Sequence, residues 1–514
     1  MRITSLIVGL IAALHFSPAH AAPMDCFAGG ADSGTRLTAC ASTISDIGLS
    51  DALRARAHLA RSEIRRQNRD IDGALDDINA AEQLGEIDVA ARLTRARLLS
   101  FTGRTDEALD DLDLVIGADP GLTDAYLLRA EILLSLGQTD LAMGDLGEVR
   151  RLNPNDPGPF RVRGRTFLRA GDAAAATAEL QQAVALDESD RASLSLLGTA
   201  QLRAGQPLPA IQTFDKLLEQ APNNMDMRMI RAAAHGQVKD FAAAIADYSV
   251  VLAARPDDMD ALEARGVAHL FAENAAAAET DFTGVLSAAP GNQRVSLFRG
   301  SARFSQKKYE AAEQDFDDVL ARFPTDADTR LNRGLARLAM GRPLDAIEDL
   351  TVALESEPTL VLAKRRRGQA HVLAGDFDTA VADLESLANP RPADSIWRFV
   401  AAKRAGLSDT ESGLTRMTKG IDPTIWPGAL VDGLEGQVTI ETVLQEAARD
   451  PEQAAARLTE VQFILGQLAL AAGDNDLALN SFTAAVAAGS SDLIEYQGAA
   501  LELQRLTAGK PHAN

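Results

Sequence analysis

Residues 330–358 read RLNRGLARLAMGRPLDAIEDLTVALESEP, and this stretch decides the fold. Apolar residues recur three or four apart on both sides of Gly341: Leu331, Leu335 and Leu338, then Leu344, Ile347, Leu350 and Leu354. The spacing predicts two short amphipathic helices joined by a glycine turn and closed by Pro358. Shifting by 34 residues brings back the same skeleton. Steps of 34 from Ala346 land on Ala74, Ala108, Ala142, Ala176, Ala210, Ala244, Ala278, Ala312 and Ala380. The closing proline recurs at Pro120, Pro154, Pro222, Pro256, Pro290, Pro324 and Pro392, with Glu86 and Glu188 in the two other slots. Ten contiguous units therefore run from Ala55 to Asp394.

Comparing the copies with one another assigns roles within the unit. Position 8 is always small (Ser62, Ala96, Ala130, Gly164, Gly198, Ala232, Gly266, Gly300, Gly334, Gly368), and position 20 is the invariant alanine. Small pairs of this kind let two helices cross near the short end of the roughly 8–10 Å interaxial range. Position 24 is bulky, as in Leu112, Phe214, Tyr248, Phe282, Phe316 and Leu350, and supplies the knob. Position 7 is arginine in nine units and position 23 is acidic in nine; the unit with Leu197 instead of arginine also has Thr213 instead of the acid. The covariation predicts a half-buried arginine–carboxylate strut between the two helices of each unit, with Arg333 and Asp349 as the pair in the opening stretch.

A 34-residue helix–turn–helix with small residues at 8 and 20, a bulky residue at 24 and proline at 32 resembles the tetratricopeptide repeat. The resemblance covers 340 of 514 residues and departs from the family pattern at positions 4 and 7, where tryptophan and leucine are preferred. It implies an all-α fold, an α-solenoid (superhelix) of helix–turn–helix repeats, whose first helices line a groove with positions 2, 5, 9 and 12. The partners it implies are other proteins or extended peptides. In unit four Arg161, Arg165 and Arg169 lie four apart on one helix face, with Arg97, Glu131 and Arg203 in neighbouring units. Unit nine offers Leu331, Leu335 and Leu338. These nine residues are the candidate partner-binding groove: arginines for an acidic segment or a C-terminal carboxylate, leucines for apolar side chains.

Composition agrees with an array. Hydrophobic residues make up 46% and aromatic residues 4%, so small and aliphatic side chains do the packing. The formal charge of −22 argues against nucleic acid or an anionic membrane as a partner. Residues 1–22 read as a secretory signal, with Arg2, an apolar run from Ile3 to Phe16, and small residues that place cleavage after Ala21 or Ala22. No cysteine follows as a lipid-attachment site, since Pro23-Met24-Asp25 precedes Cys26. The expectation is a periplasmic or secreted protein without stable membrane insertion. Cys26 and Cys40 are the only cysteines and would pair in that compartment, pinning a leader of residues 23–54; closing this loop stabilises by about 3 kcal/mol.

After Asp394 the register blurs. Residues 395–458 read as a degenerate unit, with helices over Ser395–Ala405 and Thr410–Lys419, followed by an irregular segment with helices near 439–449 and 451–457. The period returns once, over 459–492, and a last helix in 493–514 would cap the exposed end. From Trp426-Pro427-Gly428 onward the tail resembles bacterial envelope proteins of the new-lipoprotein-I type. That resemblance implies a scaffold for cell-wall hydrolases or a periplasmic protease. Trp397 and Trp426 read as core plugs where the repeat breaks down.

Motifs of catalysis and phosphate binding are missing: the sequence holds no G-x-x-x-x-G-K-S/T, H-E-x-x-H or G-x-S-x-G. His235, His269 and His371 share position 11 and read as packing residues. The sequence thus predicts a protein–protein scaffold or adaptor, not an enzyme, with no cofactor and no metal site. A homodimer is compatible with such an array.

Overall fold

The computed structural model describes residues 23–27, 32–85, 87–407, 414, 422 and 425–508. The expected signal segment and its cleavage site lie outside the described residues, as does the Thr410–Lys419 helix apart from Leu414. The described residues form 28 helices and no strand, an all-α solenoid of consecutive helix pairs. They divide into two compact units, residues 1–227 and 228–514.

The first unit holds the leader and five repeats. The leader is a short helix, Pro23–Phe27, and a longer one, Ser33–Ser45, that Asp32 caps. Cys26 and Cys40 form a disulfide with their Cα atoms 4.6 Å apart. The bridge is buried with Ala39, Ala57 and Ile64, so the leader is packed on the first repeat. That repeat's first helix runs from Asp51 to Gln67, four residues longer at its start than the 34-residue frame predicts, because Ser50 supplies the N-cap.

The second unit holds five more repeats and the tail. Each opening glycine turn resolves into one backbone requirement. Position 15 is left-handed in all ten repeats: glycine at 103, 137, 171, 205, 341 and 375, but Arg69, Lys239, Glu273 and Lys307 in the other four, with φ of 58–64°. Non-glycine residues there cost about 1–2 kcal/mol each, so the turn is imposed by packing of the helices it joins.

The tail departs from its expected layout. The helix expected from Ser395 begins at Pro392. The expected short helix at 451–457 is instead the start of an 18-residue helix, Ala454–Ala471. Trp397 and Trp426 do plug the broken repeat: Trp397 packs on Phe463 at 5.2 Å, and the indole N–H groups of Trp397 and Trp426 donate to Glu495 and Glu460 at 3.0 and 2.9 Å. The last helix, Ile494–Thr507, packs on the helix pair Ala454–Ala471 and Asn475–Ala488 and also reaches back to earlier repeats. It meets the turn of the ninth repeat and the end of the tenth repeat's first helix. Gln497 and Leu501 face Gly341, Gly498 sits against Leu373 and Phe463, and Arg505 donates to the Leu373 carbonyl at 2.7 Å. Gly498 permits the approach, since a Cβ there would lie 2.6 Å from both neighbours.

Candidate functional site

The struts between helices are built as the covariation implies. All nine pairs exist, from Arg61–Asp77 to Arg367–Asp383, with closest contacts of 2.6 or 2.7 Å. Eight engage the carboxylate through Nε and Nη2 together, a bidentate fork; Arg163 meets the longer Glu179 through a single contact. In the exceptional fifth repeat, Thr213 donates to Gln201 at 2.8 Å and no charge is buried there. Sequence reasoning missed that a second basic side chain often reaches the same aspartate. It comes from position 4 (His58, Arg92, Arg228, Arg330) or position 11 (Arg65, Arg303, Arg337). The signal was present as the basic residues recurring at those positions. His269 and His371 occupy position 11 too, and burial lowers the basicity of both imidazoles.

The arginines of repeat four meet acids of their own chain. Arg165 and Arg169 both pair with Glu131 of the preceding repeat, the latter at 3.1 Å, so these three residues are brought together. Arg161 pairs with Asp190 at 2.6 Å. Arg97 joins Asp124 at 2.6 Å, and Arg203 donates to the Leu168 carbonyl at 3.3 Å; neither belongs to the Glu131 cluster. One carboxylate shared by two guanidiniums leaves a local positive charge on this face.

The leucines of repeat nine are placed differently from the expectation that they are open to a partner. Leu331 and Leu338 are 8% and 4% exposed and belong to the core. Leu335 packs against that core and lines a cavity whose far wall is Leu493, Ile494 and Gln497 of the chain's own tail. The returning helix faces Leu335 and Leu338 across this cavity, while Leu331 is buried in the core.

An open stretch of groove lies instead over repeats six to eight. It is a concave hollow of about 540 Å3, floored by Ala233, Gly236 and Val267, walled by Phe241, Phe271 and Phe298, and rimmed by Asp260. Phe271 is 67% exposed and stacks on Phe241 at 5.4 Å. Arg294 closes one side through an ion pair with Glu263 at 2.5 Å. Phe101 in repeat two occupies the same position 13 and is likewise exposed. Both phenylalanines were legible as large aromatic residues where other copies carry Gln, Ser, Ala, Leu or Arg.

The family model of the tetratricopeptide repeat matches residues 93–157, 161–225, 231–292, 263–327 and 331–395. The chain belongs to the tetratricopeptide repeat family. Tetratricopeptide repeats are protein–protein interaction scaffolds. A lipoprotein NlpI homolog from Haemophilus influenzae is 28% identical over 118 residues, 22% of this chain and 38% of the relative, so the match spans well under half of that protein. Among solved structures, a tetratricopeptide repeat protein from Parabacteroides merdae is 21% identical with a TM-score of 0.38, covering 48% of this chain and 98% of its own. MamA from Desulfovibrio magneticus is 20% identical with a TM-score of 0.32, covering 33% and 97%.

Among the described residues no group of three or more His, Cys, Asp or Glu is arranged to hold a metal ion, and no helix is long and apolar enough to cross a membrane.

Proposed function

We propose that this chain is an exported scaffold that binds another protein, through a helix or an extended peptide, along the groove of its first helices. The open aromatic hollow over repeats six to eight carries this reading. Its stacked Phe241–Phe271 pair presents rigid apolar area beside the Asp260 and Glu263 carboxylates and Arg294, the mix of anchor and polar rim that protein interfaces use. The arginines around Glu131 form a second contact region suited to an acidic segment. The bridged Cys26–Cys40 pair supports an oxidising compartment, in keeping with the periplasmic or secreted location read from residues 1–22.

A more specific reading is an adaptor in envelope or peptidoglycan remodelling that recruits hydrolases or a protease. It is favoured by the partial likeness to the lipoprotein NlpI homolog.

The test is site-specific photo-crosslinking in the intact envelope from Phe271 and Arg165, with Glu348 on a second helix as the outward control. Discrete protein adducts from the first two sites are expected, with little from the third. Adducts from Glu348 alone would reject the groove as the binding surface.

A further inference from the structure

Three consecutive arginines lie in the tenth repeat's first helix, Val361–Ala374, and they are treated unequally. Arg365 is paired with Asp394 at 2.8 Å and Arg367 with Asp383 at 2.7 Å. Arg366, between them, makes no ion pair among the described residues. Its Nη1 donates to Gln369 at 3.1 Å, and its Nε is buried without a hydrogen-bond partner. The acids that act on it are otherwise engaged. Asp394 accepts from Arg365 and Arg391, and the Glu495 carboxyl accepts from the Trp397 indole in a setting whose burial favours the neutral acid.

Arg366 lines a cavity of about 360 Å3, formed between the first helices of repeats eight to ten and the returning C-terminal helix. Phe304, Tyr309, Leu335, Leu338 and Ile494 make the apolar remainder of its wall. At the mouth Lys307 and Asp492 stand 3.7 Å apart and offset each other, so Arg366 is the net charge of the site. The volume falls at the low end of the roughly 300–1,000 Å3 typical of small-ligand pockets. A half-buried cation without an ion pair is unfavourable for folding, and the nine strut arginines show that this fold supplies acids where arginines serve structure. An arginine left without an ion pair beside an apolar cavity is the pattern of a ligand site.

We propose that this cavity binds a carboxylate carried on an apolar body, the Arg366 guanidinium gripping the carboxylate while Phe304, Tyr309, Leu335 and Leu338 enclose the apolar part. The same chemistry belongs to a free small amphipathic acid and to the C-terminal residue of a peptide ending in an apolar side chain. Only the peptide source rests on the scaffold reading, and crosslinking at Phe271 tests that reading without involving this cavity.

The experiment is calorimetric titration of the full chain with octanoate, with 4-phenylbutyrate, and with a hexapeptide ending in leucine as free acid and as amide. At least one acid should bind, and the peptide amide should bind no better than background. Arg366→Met should weaken binding roughly tenfold or more, the scale of a charge-assisted hydrogen bond, while leaving Tm unchanged or higher. Leu335→Trp, which fills the apolar end, should weaken binding by a similar factor. Binding of octanoate or phenylbutyrate identifies a small acid as sufficient; binding of the peptide acid alone identifies a chain terminus. Absence of binding by every acid at millimolar concentration, equal affinity for acid and amide, or full affinity in Arg366→Met would overturn the proposal.

Discussion

At the residue scale, the struts show how one chain buries charge repeatedly. Asp349 is fully buried and receives Arg330, Arg333 and Arg337 at 2.6–2.8 Å. Asp281 receives Arg265 at 2.7 Å, with the His269 imidazole as its other basic neighbour. Breaking a buried pair costs about 3–5 kcal/mol when one charge is left uncompensated. The expected order of destabilisation is therefore Asp349→Ala, then Arg265→Ala, then Arg333→Ala, because Asp349 keeps two cations when Arg333 is removed. Urea denaturation of the three variants checks it, and equal losses would reject the charge-compensation account. The same scale explains the small residue at position 8. Each phenylalanine at position 24 faces a glycine: Phe214 and Gly198, Phe282 and Gly266, Phe316 and Gly300, Phe482 and Gly466, with an added Cβ only 2.5–2.6 Å from the ring. Both relations were legible in the sequence, because copies within one chain report which positions vary together.

At the element scale, the C-terminal helix was legible as a helix and its destination was not. Its apolar residues fit packing on the last repeat, where it does pack; Gly498, Glu495 and Arg505 add contacts with Leu373, Phe463 and Trp397. Its docking also creates the chain's most unusual acids. Burial, aided by the nearby Glu495, pushes the Glu460 carboxyl up from 4.5 to about 7, and burial raises Glu495 as well. Around them stand Arg457 and the Trp426 indole beside Glu460, and Arg366 and the Trp397 indole beside Glu495. An acid whose folded pKa lies above its unfolded one stabilises fully below the unfolded value and loses that contribution as pH rises through the folded value. Residues 454–507 should therefore exchange amide hydrogens faster, after correction for intrinsic rates, as pH rises through about 7. Glu460→Gln should flatten this dependence, and an unchanged profile in that variant would exclude Glu460 as its source.

At the scale of the whole molecule, repeats contact mainly their neighbours in sequence, so stability is close to a sum of repeat and interface contributions. Thermal unfolding should be broad, with a van't Hoff enthalpy well below the calorimetric one; agreement between the two would mean that the array behaves as one cooperative block. The repeat period, the helix pairs, the struts and the leader disulfide followed from the sequence alone, since each depends on residues at fixed short separations that recur or are unique in the chain. Which part of the groove stays open was decided only by tertiary structure. The tail returns from over a hundred residues beyond Leu373 to face Leu335 and Leu338 across the cavity that Arg366 lines, and Phe271 stays exposed. No local periodicity encodes that return, because it is set by complementarity between two surfaces that the chain brings together only once folded.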